Sequence, residues 1–96
     1  MDTRTRDLAT VARLRNARVE AVHEAQRGHL ARILRDPTPE QRFVYVVKLL
    51  DVHPRLGKVS GRRLMATLGI VPFARVSDLT ENQITQLLRE CGDAHE

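Results

Sequence analysis

The run His53-Pro54-Arg55-Leu56-Gly57-Lys58 stops one helical pattern and starts another, and it constrains the fold more than any other stretch. Pro54 disfavours helical geometry at His53 and has no backbone donor of its own. Gly57 accepts the positive φ that a tight reversal needs. Leu56 is the one apolar side chain in the turn and is expected to peg it to the core. The N–H groups that open the second helix are unpaired and carry partial positive charge. Arg55, Lys58, Arg62 and Arg63 surround them, and residues 55–63 contain no acid. Such a turn suits a nucleic-acid phosphate. The competing reading is a plain helix–helix turn with a solvated basic rim.

The rest of the chain reads as helices around this reversal. Residues 1–6 are expected to fray. From Asp7 to about Arg27 there is no Gly or Pro, and Leu8, Val11, Leu14 or Arg15, Val22 and Ala25 give a thin apolar stripe. Arg13, Arg15 and Arg18 lie on this helix, which is either a solvated arm or a surface for a polyanion. Gly28 ends it. A short helix over 29–35 follows, broken by Asp36-Pro37. Thr38, Pro39 and Gln41 form a strong start signal with a capping box. Phe43, Val46, Val47 and Leu50 then recur at helical spacing, with Val44, Tyr45 and Leu49 widening the stripe. The pattern predicts a central core helix over about 39–51, although the β-branched run also suits a strand. Leu64, Met65 and Leu68 form the inner face of the helix over about 58–69, which Gly69 ends. Val71–Ser77 is a connector in which Phe73 is read as a core plug in preference to a DNA wedge. Thr80 and Gln83 box the start of the last helix, whose stripe is Ile84, Leu87, Leu88 and Cys91.

Charge is unevenly placed. The formal net charge is +4. Residues 1–35 hold eight arginines against four acids, whereas residues 76–96 hold five acids against one arginine. One end of the chain is suited to polyanions and the other is not. The only aromatic residues are Phe43, Tyr45 and Phe73. That scarcity favours reading of a nucleic-acid backbone over base stacking, which needs aromatic platforms.

Other classes of function find little support. Cys91 is the single cysteine, so neither a disulfide nor a paired-cysteine metal site is expected. His23, His29, His53 and His95 are scattered. There is no Gly-rich nucleotide loop, no His-Glu-x-x-His and no nucleophile elbow. No stretch approaches the roughly 20 apolar residues of a membrane helix, and the Arg-rich start lacks an apolar signal core. The expectation is a non-enzymatic protein of the cytoplasm, with no cofactor, metal, small-molecule substrate or membrane partner.

The segment VVKLLDVHPRLGKVSGRRLMATLGI, followed by RVSDLTENQITQLLREC, resembles the actinobacterial integration host factor family of mycobacterial and streptomycete type. Leu49, Leu50, Pro54, Leu56, Gly57, Lys58, Val59, Met65, Leu68, Ile70, Arg75 and Leu79 fall on its pattern, and RGHLARIL fits its earlier short helix. The likeness covers roughly residues 10–92. It implies an all-α fold of about five helices: a long N-terminal helix and a helix-two-turns-helix domain related to ribosomal S13. It further implies duplex-DNA binding through the backbone with little sequence preference, nucleoid organisation and, in the mycobacterial type, help in phage integration. The turn would grip phosphate with main-chain amides at Gly57 and Lys58, with Arg55, Lys58 and Arg75 as basic contacts. The chain departs from the family at His53 (usually Leu), at Gly61 (usually Ala), and at Ala74 and Ser77, where Arg is common.

Together these readings divide the chain into an Arg-rich arm (1–28), a helix-two-turns-helix domain (29–92) and an acidic tail (93–96). The expected DNA-binding residues are Arg55, Gly57, Lys58, Val59, Arg62, Arg63, Arg75, Arg13, Arg15 and Arg18, with His53, Pro54 and Leu56 shaping the turn. The expected partner is double-stranded DNA, bound by a monomer whose basic surfaces at 4–18 and 55–63 would allow two duplexes to be bridged. An RNA-binding protein of the S13 type and a protein–protein adaptor are the alternatives.

Overall fold

Among the described residues five α-helices carry the fold: α1 (Thr3–Gln26), α2 (Leu30–Arg35), α3 (Val46–Val52), α4 (Gly57–Thr67) and α5 (Glu81–Cys91). Two 3-10 turns, Gln41–Phe43 and Val76–Asp78, complete it. The computed structural model describes the backbone of residues 3–92 and the side-chain surroundings of residues 10–92. The acidic tail 93–96 and the first two residues of the expected frayed start lie outside the described residues. From Thr3 onward the chain is helical, so α1 begins earlier than Asp7.

α1 is long because nothing in it breaks a helix; its 24 residues span about 36 Å. Its inner stripe is narrower than expected. Ala17, Ala21 and Ala25 are buried at i, i+4, i+8, with Val22 packed beside them. Small residues let α1 lie close on its neighbours. Val11 and Leu14, expected on the stripe, are exposed instead. Gly28 at φ +82° then reverses the chain. The His29 N–H reaches the Glu24 carbonyl at 2.9 Å, which closes a Schellman-type end.

The expected helix over 39–51 is broken in two. The Thr38–Gln41 box forms: the Thr38 N–H donates to Gln41 Oε1 at 2.9 Å, and the Gln41 N–H donates to Thr38 Oγ1 at 3.2 Å. It closes only the tight turn that leads into a 3-10 segment, which itself has no side-chain cap. Val44 and Tyr45 are extended, and helix resumes at Val46. The cause is tertiary. Tyr45 and Arg75 face one another in an antiparallel bridge. The Val46 N–H donates to the Ala74 carbonyl and the Val76 N–H to the Val44 carbonyl, each at 3.0 Å. Two bonds to the connector replace the helical bonds this β-branched run would otherwise make.

The core is aliphatic. Leu30, Ile33, Leu49, Leu50, Leu87 and Leu88 are its largest fully buried side chains, joined by Val46 and Cys91. α3 and α4 form its central hairpin. At their crossing Gly61 is buried, and a Cβ there would lie 2.9 Å from Leu50 Cβ. The two helices approach so closely because residue 61 has no side chain. α5 closes the core with Ile84, Leu87, Leu88 and Cys91, and the Thr80–Gln83 capping box is formed in full. Phe73, expected as a core plug, is 81% exposed; the aliphatic side chains fill the interior without it.

Candidate nucleic-acid interface

The reversal after α3 is built by its own residues. His53 is extended at the end of α3 and its carbonyl accepts the Leu56 N–H at 3.2 Å. The His53 ring is buried, and its Nδ1 accepts the Arg55 N–H at 3.1 Å. The nitrogen facing a backbone donor carries the lone pair, so the imidazole acts here as an acceptor inside the turn. Leu56 packs on the core edge. Gly57 at φ +83° turns the chain into α4. No side chain caps α4, and its first turn holds no acid. The opening N–H groups of an eleven-residue helix are therefore presented at the turn without a side-chain acceptor.

The cations of the turn are not equivalent. Lys58 and Arg63 are exposed on α4. Val59 stands between them at 71% exposure, an apolar surface at the mouth of the turn. Arg62 reaches back across the hairpin to Asp51 Oδ2 at 3.5 Å. The acid-free rim of the sequence thus borrows a carboxylate from α3. Asp51 is largely covered, and its Oδ1 has no hydrogen-bond partner among the described residues. The Arg55 guanidinium lies against Gly92, where a Cβ would come within 2.9 Å of Nη1. It sits at the C-terminal, electronegative end of α5, a favourable place for a cation. Arg55 therefore joins the turn to the last helix.

Arg75 belongs to a separate surface. Its guanidinium lies 5.3 Å from the centroid of the Tyr45 ring, and Nη2 is 3.4 Å from the phenol oxygen. The hydrogen bond to Tyr45, then the charge interaction with it, raise the Arg75 pKa, opposed by slight desolvation and helped by Asp78. The Arg75 N–H is held by Asp78 Oδ2 at 2.9 Å. Arg15 and Arg18 of α1 line the same concavity of about 460 Å³, together with Glu40. Arg13 is exposed about half a turn away on α1, on a different side from Arg15 and Arg18.

The structure thus places the predicted cations in two groups, one around the start of α4 and one around Arg75, with Arg13 in neither. Sequence reasoning assigned Tyr45 and Phe73 inward and did not single out Lys48; all three line a second concavity of about 790 Å³ beside Arg62. The available signal was Val71-Pro72-Phe73 directly after a Gly-ended helix. Proline at the second position of a turn places the next residue at its apex.

A helical hairpin with an uncapped, cation-ringed helix start, bracketed by further helices, defines a helix-two-turns-helix protein. Residues 25–91 match the family model described as the S13-like H2TH domain. The chain belongs to this family. It is 31% identical to the integration host factor of Mycobacterium tuberculosis, across 97% of this chain and 92% of that protein. It is also similar to a solved structure described as sIHF bound to an 8-bp palindromic DNA. The TM-score is 0.75 at 30% identity, with 85% of this chain and 97% of that chain covered.

Proposed function

We propose that this protein is a non-enzymatic, DNA-binding architectural protein of the nucleoid, similar in role to integration host factor. The observation that carries the proposal is the uncapped start of α4 at Gly57-Lys58, ringed by cations, in a fold shared with a protein solved on DNA. Phosphate oxygens accept from the free amides, and Lys58, Arg62 and Arg63 add charge around them. Arg55 steadies the turn against α5. The amides and Lys58 contact no base edge, so affinity is largely independent of sequence.

Arg15, Arg18 and Arg75 form a second phosphate-facing surface, and the Arg-rich segment of residues 1–28 carries its α1 side while Ala21 and Ala25 tie that segment into the core of the domain of residues 29–92. A monomer with two such surfaces is able to bridge two duplexes. Among the described residues no helix is long and apolar enough to cross a membrane.

Fluorescence anisotropy with two labelled duplexes of unrelated sequence, each competed with duplex RNA, tests the proposal. Similar affinities for both duplexes, with RNA the weaker competitor, are expected. Absence of duplex-DNA binding at low salt contradicts it.

A further inference from the structure

The chain has three aromatic residues, and all of them are at the surface: Phe43 at 56%, Tyr45 at 40% and Phe73 at 81% exposure. Phe73 is the most exposed large apolar side chain among the described residues, and Val71 and Pro72 beside it are exposed as well. Exposure of this kind marks an interaction site when it is contiguous and held in place.

The Val71–Ala74 segment is held in place. The Ala74 N–H donates to the Val71 carbonyl at 3.0 Å, closing a β-turn with Pro72 second and Phe73 third. Among the described residues no non-glycine φ is positive, which excludes the type II form. Pro72 fixes its own φ. Ala74 is buried, and its carbonyl takes the Val46 N–H at 3.0 Å. The ring therefore stands on a pinned apex, and little backbone entropy is lost when it binds.

Its surroundings select the partner. Among the described residues the concavity beside Phe73 has Lys48 and Arg62 as its charged lining, and Asp51, which pairs with Arg62, does not line it. Lys58 lies one helical turn before Arg62 on α4, so this lining continues toward the phosphate-binding turn. A second copy of the chain would set like charge against like. An anionic polymer that offers apolar faces beneath its charges fits both features, and stacked base pairs under phosphates are such faces.

We propose that Phe73, backed by Val71 and Pro72, is a wedge that enters the minor groove and unstacks a base step of the bound duplex. The proposal rests on the DNA-binding reading above. Apolar wedges, Phe and Pro among them, act this way in minor-groove architectural proteins. α4 supplies the spacing. Lys58 and Ala66 are about 12 Å apart along its axis, and Ala66 lines the same concavity as Phe73. A phosphate at the turn and a base step at Phe73 thus lie within one helical repeat of a duplex, about 34 Å.

The test uses the full chain and short duplexes carrying 2-aminopurine at successive positions, with donor and acceptor dyes at the ends. Wild type is expected to raise 2-aminopurine fluorescence severalfold at a small number of steps and to shorten the end-to-end distance. Phe73→Ala is expected to keep the wild-type circular dichroism spectrum and salt dependence, and to bind within a few fold of wild type, but to lose both signals. Phe73→Leu is expected to retain part of them. Wild type that saturates the duplex without a fluorescence rise, or Phe73→Ala that unstacks and bends DNA as wild type does, overturns the wedge and leaves the DNA-binding reading intact. Wild type that fails to bind any duplex at low salt overturns both.

Discussion

The two reversals that flank α4 solve different problems. The turn at His53–Gly57 is made from local rules. A proline stops α3, a glycine at φ +83° starts α4, and the His53 ring accepts a backbone N–H two residues on. What it presents is backbone: uncapped amides with exposed cations around them. The connector Val71–Asp78 is made from a distance. It is pinned by two bonds to residues 44 and 46, some thirty positions earlier. What it presents is side chains, Phe73 and Arg75. A reversal that offers amides suits phosphate of any sequence, whereas one that offers a ring and a guanidinium suits the groove between phosphates.

The largest effect expected from breaking this contrast is on affinity. Replacing both Lys58 and Arg63, the exposed cations at the start of α4, by Ala removes two charge-assisted contacts, each worth roughly tenfold. Duplex affinity is expected to fall by about a hundredfold, equally for unrelated sequences, and the log–log salt slope to become shallower by about two. Anisotropy titrations of the double variant check this. A loss confined to one sequence assigns base readout to the turn.

The next effect is on the turn itself. His53→Ala leaves the Arg55 N–H without its acceptor and opens space in a buried site. A stability loss of about 1–3 kcal/mol in urea denaturation is expected. Wild-type stability in that variant would show that the imidazole is a passenger in the turn.

Gly61→Ala is expected to cost less. Its Cβ would lie 2.9 Å from Leu50 Cβ, an overpacking of roughly 1–3 kcal/mol. Better helix propensity returns up to about 1 kcal/mol. The net expectation is a loss of about 1 kcal/mol, read as a lower urea midpoint with an unchanged m-value. A gain in stability would show that α3 and α4 can move apart freely, which the close crossing argues against.

Tyr45→Phe carries the smallest effect. It keeps the ring under Arg75 and removes only the phenol contact at 3.4 Å on an exposed side chain. Stability within about 0.5 kcal/mol of wild type is expected in the same denaturation assay. The raised pKa of Arg75 has the hydrogen bond to Tyr45 as its first cause and should relax toward the ordinary arginine range. Arg75 stays charged in both proteins, so DNA binding should show no new pH dependence between neutral pH and 9.

The same contrast explains what was legible in the amino-acid order. Pro54, Gly57, Gly28 and Gly69 act through their own backbone geometry, and the elements they bound were readable. The Thr80–Gln83 box and the α5 stripe were readable for the same reason. The break at Val44-Tyr45 was not, because it depends on pairing with residues 74–76. Phe43, Tyr45 and Phe73 were assigned inward because large apolar residues usually fill cores. Here leucine, valine, isoleucine and alanine fill it, and the rings are left outside. Of the candidate site, the cations were visible by composition. The Asp51–Arg62 pair and the seat of Arg55 on Gly92 were not, since each spans two helices.

The central claim is that the molecule grips duplex phosphate through the start of α4 and its neighbouring cations. The most direct measurement is the affinity of the full chain for a duplex across a range of salt concentrations. If about five basic groups displace counterions, the slope of log K against log salt should be about −4 to −5. A slope near zero, or no binding at the lowest salt, would contradict the account.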